Sequence, residues 1–471
     1  MTQNEALDIL KSGANVFLTG EPGSGKTYAV NSYVKYLRER SIQPSVTAST
    51  GIAATHINGV TIHSWSGIGI KRFLSEYDLD RITQNRRVFN RVRGASVLII
   101  DEISMLSKDT FAMVDAVCRK IRGDARPLGG LQVVAVGDFF QLPPVHQRTP
   151  RETDAGELFA INLNLAEFTF FSPVWDALNF LTCYLSEQYR QDDAVFLGML
   201  SAIRRGDVSD AHRKLFMSKN TSTAPENLTQ LFSHNADVDR INSNKLAKLL
   251  GPARNFEMES RGPEALLKQL KKSCLSPETL VLKTGASVMF TKNDIEHRFV
   301  NGTLGVVTGF DKEGGESLPI VKTNSGKIIF TGLADWHIEE NGRVLARVTQ
   351  IPLRLAWAIT VHKSQGMSLD AAHMDLSDAF EYGQGYVALS RVRALSGLSL
   401  AGLNERALEV HPKVRAKDEE FREASEVARE AFAKFSSAEL AKMHNNFTRA
   451  RGGKNLDFEK VFVEDKKTRS K

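Results

Sequence analysis

The run Gly20-Glu-Pro-Gly-Ser-Gly-Lys-Thr27 restricts the fold of this chain more than any other stretch. It satisfies G-x-x-x-x-G-K-[ST] through Gly20, Gly25, Lys26 and Thr27, with Gly23 as an additional glycine. Before it, Asn15-Val-Phe-Leu-Thr19 reads as a short buried strand. After it, Val30, Tyr33, Val34 and Leu37 recur at helical spacing. Strand, glycine loop and helix together suit phosphate. The glycines let successive backbone N–H groups turn toward phosphate oxygens, and the helix N-terminus adds the positive end of its dipole. The segment Gly20, Glu21, Pro22, Gly23, Ser24, Gly25, Lys26, Thr27 and Tyr28 is therefore a candidate nucleoside triphosphate site. Lys26 is directed at the outer phosphates, and the Thr27 hydroxyl is a candidate Mg²⁺ ligand.

At 471 residues the chain has material for about two to four domains, each with its own core. Hydrophobic residues are 42% and charged residues 25%, the balance of a soluble globular protein. A formal net charge of +6 permits an anionic partner but is also what solvated surface lysines give. Cys118, Cys183 and Cys274 are scattered, which argues against a zinc site or disulfide framework and fits a reducing compartment. No secretory signal or membrane-length apolar run is visible, so the expectation is an intracellular protein, cytoplasmic or nucleoid-associated in a bacterium or virus.

Thr2 and Glu5 form a capping box that opens an N-terminal helix. In it, Gln3 is either a solvated side chain or an amide able to pair with an adenine edge. Pro44–Thr55 is a strand running into a small-residue turn and a helix. There Ser49, Thr50 and Gly51 read as a helix cap or as donors to a phosphate backbone. Thr61–Gly67 places His63 and a tryptophan on a turn-rich segment. Arg72, Arg81, Arg86, Arg87, Arg91 and Arg93 follow, as a nucleic-acid-facing lobe or a charged helix face.

Val97-Leu-Ile-Ile-Asp-Glu102 is an apolar strand ending in two carboxylates, which at the C-terminal edge of a parallel sheet project into the ligand crevice. Asp101 would hold Mg²⁺, and Glu102 would orient and deprotonate the attacking water. Leu131–Pro144 is a third core strand with a structured exit. On it Gln141 could sense the γ-phosphate, while Phe139 and Phe140 are core plugs or stacking platforms for bases.

GEPGSGKT, TASTGIAA, TIHSWSGIG, LIIDEISM and GDFFQLPPV, in this order, resemble superfamily 1 DNA helicases of the Pif-type branch, relatives of RecD. Asp115–Val145 is similar to the signature of that branch, with Leu128 where the family usually has phenylalanine. The resemblance covers about residues 1 to 403. It implies an α/β protein of two RecA-like parallel-sheet cores, the first over 1–170 with an insertion near 60–95 that splits the duplex. The second core spans 171–403 with an SH3-like barrel inserted near 296–350, consistent with the short β runs and turn signals from Ser287 onward. By the same resemblance Arg190, in Leu185–Gln191, reaches across the cleft to the phosphates. Read alone, Glu187 and Arg190 are a surface pair. Within Leu353–Asp370, Thr360, His362 and Ser364 touch DNA phosphates or sugars, and Gln365 with Gly366 approaches the nucleotide. Arg391, in Gly385–Arg391, is the finger that stabilises charge on the γ-phosphate. Thr50, Gly51, His63, Phe140 and Pro143 complete the expected nucleic-acid contacts.

The implied activity is ATP- and Mg²⁺-dependent 5′→3′ translocation and unwinding, in replication, recombination, repair or telomere maintenance. Single-stranded and forked DNA are the expected partners, with RNA–DNA hybrids or G-quadruplexes as further ones. A remodeller of single strands or hybrids without strong unwinding is the alternative. No coiled-coil pattern is present, so a monomer is expected. Residues 404–471, charged and alanine-rich, read as amphipathic helices that form an interaction tail, a DNA-binding extra or a frayed terminus.

Overall fold

In the computed structural model, the described residues are 1–144 except 58 and 70, 168–187, 193–221, 228–232, 235–294, 296, 298–313, 316–340, 343–361 and 364–454. The first sheet contains β1 (Val16–Gly20), β2 (Ser45–Ala48), β3 (Val60–Thr61), β4 (Val97–Asp101), β5 (Gln132–Val136) and β6 (Leu181–Leu185). All are parallel, in the order β3-β2-β4-β5-β1-β6. Its central strands read as unbroken apolar runs because both faces are covered. Side chains alternate across a strand. Phe17, Leu98, Ile100, Val133 and Ala135 therefore enter one core, and Val16, Leu18, Val97, Ile99, Val134 and Val136 the other.

β6 pairs with β1 along its whole length, so the first sheet extends past the expected boundary at 170/171. The second sheet is built from Ala358–Thr360, Thr229–Phe232, Ala372–Leu376 and Leu398–Leu403, in that order and also parallel. Between its strands lies an antiparallel module, larger than the barrel expected over 296–350. Five strands form one sheet: Ile328–Phe330, Glu316–Thr323, Leu304–Glu313, Ser287–Phe290 and Leu353–Leu355. The stretch from 255 to 277, which reads as a loop or small excursion, instead contributes strands Arg254–Glu257 and Glu259–Arg261 and the helix Glu264–Ser273. Leu266, Leu267 and Leu270 of that helix cluster with Trp336, Ile338, Ala346 and Val348. The strands pair with Thr279–Leu282 and Arg343–Gln350, far along the chain, so no local pattern announces them.

The insertion between β3 and β4 is helical: Ile62–Ser66, Glu76–Gln84 and Arg86–Gly94. Ser75 caps the second helix with a capping box, and Asn85 ends that helix and caps the next. Trp65, Ile82, Val88 and Val92 bind the insertion to the main core. Arg72, Arg81, Arg86, Arg87 and Arg93 are exposed, whereas Arg91 is structural, donating to the carbonyls of Ser64 and Trp65.

The C-terminal segment is not frayed within the described residues. Helices Pro412–Ala433 and Ser437–Ala450 return from the second sheet and lie on the first core. Phe421 enters an aromatic group with its ring 4.8 Å from Phe17, 6.0 Å from Phe139, 6.1 Å from Phe170 and 6.3 Å from Trp175. Ser425 Oγ accepts the backbone N–H of Tyr184 at 2.9 Å, satisfying a group on the free edge of β6. Further on, Phe447 packs over Gly13, where a Cβ would stand 2.2 Å from its ring and where φ is +88°. Residues 455–471, with the basic tip, lie outside the described residues. Phe421→Ala should destabilise the first core by about 3 kcal/mol, the cost of an aromatic-sized cavity. Denaturant unfolding of full-length protein checks this, and a loss below about 1 kcal/mol would show that the helix merely rests on the surface.

Candidate nucleotide site

The glycine loop leaves β1 at the C-terminal edge of the first sheet, and the helix Lys26–Glu39 starts directly from it. Two glycines are required by shape. At Gly20 (φ +143°) a Cβ would lie 2.6 Å from the Leu185 carbonyl oxygen. At Gly25 (φ +86°) it would lie 1.8 Å from Gln3 Nε2. Gly25 is the N-cap of the helix, with no side chain bonding the first turn and no acidic residue in it. An N-terminus left uncapped this way presents N–H groups and dipole to an anion. Lys26 Nζ donates to the carbonyls of Gly20 at 2.7 Å and Glu21 at 3.0 Å, which holds the loop in shape. Ser24 Oγ is buried without a hydrogen-bond partner. Thr27 and Tyr28 are exposed at the helix start, and Gln3 donates to the Ser24 carbonyl at 3.3 Å. Gln3 is thus against the loop, not in open solvent.

Asp101 and Glu102 lie at the C-terminal end of β4, which is parallel to β1 and separated from it by β5. Glu102 takes a left-handed backbone with φ of 51°, an uncommon conformation for a residue with a Cβ. The turn is fixed by the Asp101 carboxylate accepting Glu102 N–H at 2.9 Å and by the Ser49 hydroxyl donating to the Glu102 carbonyl at 2.6 Å. Burial, reinforced by the Asp101 carboxylate, pushes the Glu102 carboxyl up to about 7, while the Lys26 and Arg391 charges pull it down. Burial likewise raises Asp101, opposed by its bond from Glu102 N–H and by Lys26. The site is therefore a half-buried acidic pair facing a lysine, with an arginine from the second sheet within electrostatic reach.

Two further groups come from the second sheet. Gln365 Nε2 donates to Glu102 Oε2 at 3.1 Å, a direct contact across the cleft. Gly366 follows it with φ of +78°. Arg391 is 1% exposed. Its Nε donates to the Val387 carbonyl and its Nη2 to Ser390 Oγ, both at 2.8 Å, so the guanidinium is folded back onto the end of the helix that precedes it. Gln141 is buried at the edge of the same cleft, in the turn that follows β5. Arg190 lies outside the described residues.

The expected nucleic-acid contacts are less concentrated. Thr50 Oγ1 caps its helix by accepting Ala53 N–H at 3.2 Å, with Gly51 as the first helical residue. His63 is half-buried, and burial lowers its pKa, leaving a neutral imidazole near pH 7. Pro143 is half-buried on the exit of the turn. Phe140 needs correction as a base platform: it is 3% exposed, with the Arg204 guanidinium 4.0 Å over its ring. Phe139 is a core plug against Phe17, Phe168, Phe170 and Trp175. Thr360 and Ser364 are buried, and the Ser364 hydroxyl donates to the Val361 carbonyl at 2.7 Å, so neither presents a free face to a strand here. His362 lies outside the described residues. Sequence reasoning missed Asp138, Tyr184, Arg204 and Tyr386, which form one buried polar cluster beside Gln141. The only local signal was a charged residue in the otherwise apolar face of SAIRRG.

With Glu102 in the proposed role of general base, which must be ionised to accept a proton, kcat/KM for ATP hydrolysis should rise with pH through about 7 and then level off. Glu102→Gln should remove that limb and cost at least about 100-fold in kcat. A pH–rate profile of the parent that stays flat from about pH 6 to 8 would place the base elsewhere.

A family model described as PIF1-like helicase matches residues 3–214, and one described as DNA helicase Pif1, 2B domain, matches residues 265–310. The ATP-dependent DNA helicase Pif1 of Psychrobacter sp. is 41% identical over 509 aligned residues, covering 96% of this chain and 75% of that relative. The crystal structure of Bacteroides sp Pif1 in complex with ADP-AlF4 matches with a TM-score of 0.75 at 31% identity, covering 89% of this chain and 96% of that one. Bacteroides Pif1 bound to ssDNA matches with a TM-score of 0.58 at 30% identity, over 90% and 97%. With that identity over that share of both chains, this protein belongs to the PIF1-like helicase family.

Proposed function

We propose that this protein is an ATP-dependent DNA helicase that moves 5′→3′ on single-stranded DNA and separates duplex ahead of it. The observation that carries the proposal is the split site: Glu102 at the edge of the first sheet is met by Gln365 from the second at 3.1 Å. A hydrolytic centre divided between two sheets works only when they close, so each turnover moves one lobe against the other. With a single strand lying across both lobes, that motion becomes a step. The names of the relatives, an ATP-dependent DNA helicase and a protein captured with ADP-AlF4 and with ssDNA, support the same reading.

In this mechanism the loop from Gly20 to Thr27 cradles the phosphates, and Lys26 exchanges the loop carbonyls for phosphate oxygens. Glu102 takes the proton of the attacking water, and Gln141 reads the γ-phosphate. Arg190 and Arg391 approach from the second lobe, Arg391 by leaving its helix-bound rotamer as the cleft closes. A Mg²⁺ ion fits the donors available: the Thr27 hydroxyl beside the loop and the Asp101 carboxylate, whose burial next to Glu102 disfavours two negative charges. Thr27 and Asp101 would hold it, and it would neutralise charge on the phosphates.

The helical insertion between about 60 and 95, with five exposed arginines, serves as the duplex-splitting element, and the antiparallel module serves as a clamp on the strand. Backbone contacts make binding sequence-blind and salt-dependent. Forked DNA, RNA–DNA hybrids and G-quadruplexes are substrates of the same motion, carried out by a monomer.

Strand displacement with ATP on duplexes bearing a 5′ or a 3′ tail tests this directly, with unwinding expected only from the 5′ tail. Unwinding only from the 3′ tail would reverse the polarity, and none on either, with DNA-stimulated ATPase intact, would leave a remodeller. Arg391→Ala should retain nucleotide binding and lose about 10³-fold in turnover, measured by ATPase and nucleotide titration. Loss of binding instead would make Arg391 structural.

A further inference from the structure

Arg204 is a buried cation whose partners come from several segments around the nucleotide cleft, and the mechanism above does not use it. It lies at the end of the helix Ala194–Arg205 and is 2% exposed. Nη1 donates to Asp138 Oδ2 at 2.8 Å and to the Tyr386 hydroxyl at 3.0 Å. Nη2 donates to the Tyr184 hydroxyl at 2.7 Å and stands 3.7 Å from Asp418 Oδ1. Nε makes no hydrogen bond and faces Glu21 Oε1 of the glycine loop at 3.9 Å. The planar fork is thus spread over five chain segments, a geometry that a lysine ammonium cannot reproduce.

Each of these partners is attached to a working part of the site. Asp138 Oδ1 accepts Phe140 N–H at 3.2 Å and its carbonyl accepts Gln141 N–H at 3.0 Å, so Asp138 shapes the turn that carries Gln141. Tyr386 is on the helix Gln384–Leu389, which leads directly to Arg391. The two parts touch: a Cβ at Gly383, whose φ is +79°, would stand 2.5 Å from the Phe140 carbonyl oxygen and 3.0 Å from that of Gln141. Arg204 bridges this contact from the side, with Phe140 beneath its guanidinium at 4.0 Å. A side chain that only filled space would not need a charge, and a buried guanidinium is retained only with such a set of partners.

We propose that Arg204 is a positioning residue that couples the Gln141 turn of the first core to the helix that leads into Arg391, and so sets the turnover rate rather than ATP affinity. This rests on the ATPase reading above. Because Asp138 and Tyr386 share one guanidinium, a shift of either part on nucleotide binding is transmitted to the other through fixed hydrogen bonds. Asp418 and Tyr184 anchor the same group to the C-terminal helix and to β6, which gives the pivot a rigid seat.

Arg204→Lys keeps the charge and loses the fork. In full-length protein with DNA present it should lower kcat for ATP hydrolysis by about 10- to 100-fold through misplacement of the finger. KM and the affinity for a fluorescent ATP analogue should change by less than about twofold. Arg429→Met removes an exposed ion pair with Glu426 on the C-terminal helix and touches no member of the cluster, and should leave kcat unchanged. If Arg204→Lys does not fold, Tyr386→Phe deletes a single hydrogen bond, and there kcat should fall about two- to tenfold at constant KM.

An unchanged kcat in either variant would overturn the proposal. So would a loss shared equally by Arg429→Met, or one carried in KM. Absence of ATPase in the parent protein would instead refute the functional reading itself.

Discussion

A half-buried carboxylate at the edge of one sheet, hydrogen-bonded by an amide from another, is the constraint on which the architecture turns. Glu102 is raised by burial and by Asp101, and it is steadied by Lys26, Gln365 and Arg391. Two acidic groups in low dielectric are tolerated only where cations and donors converge on them. Here the convergence requires both sheets. The helix N-terminus behind the glycine loop supplies the other half of the electrostatics, an uncapped positive end next to buried negative charge. The two sheets therefore already meet at the Glu102 carboxylate.

The C-terminal helices serve this arrangement. Starting from the second sheet, they cross to the first, fill an aromatic pocket with Phe421, bind the edge of β6 through Ser425 and place Asp418 at the Arg204 cluster. A tether of this kind limits how far the cleft can open without severing its own packing. It also closes the free edge of a parallel sheet, which would otherwise expose unpaired backbone groups. The amino terminus joins the same seam, with the Met1 ammonium donating to the Tyr184 carbonyl at 2.8 Å.

Much of the first core is legible from sequence because its signals are local. Each strand run is apolar on both faces, each helix has its period, and the glycines are demanded by a backbone shape that a few consecutive residues define. The antiparallel module was half legible: the hairpin signals after Ser287 were visible, while the strands near 254–261 depend on partners far along the chain. Phe140 shows the opposite failure. An aromatic beside two prolines looks available for stacking, yet a guanidinium from another helix covers it. Ser364 similarly has a hydroxyl suited to a phosphate but spends it on its own turn.

The sequence alone determined the phosphate loop, the acidic strand end and the family they belong to. Phosphate chemistry needs contiguous N–H groups and fixed side-chain spacing, and contiguity is what a sequence records. Tertiary structure alone decided that Gln365 reaches Glu102, that Arg204 gathers Asp138, Tyr184, Tyr386 and Asp418, and that the C-terminal helices return to the first core. Those contacts join residues separated by tens to hundreds of positions, and the free energy of burying charge fixes which of them meet. That free energy belongs to the folded environment rather than to any stretch of the chain.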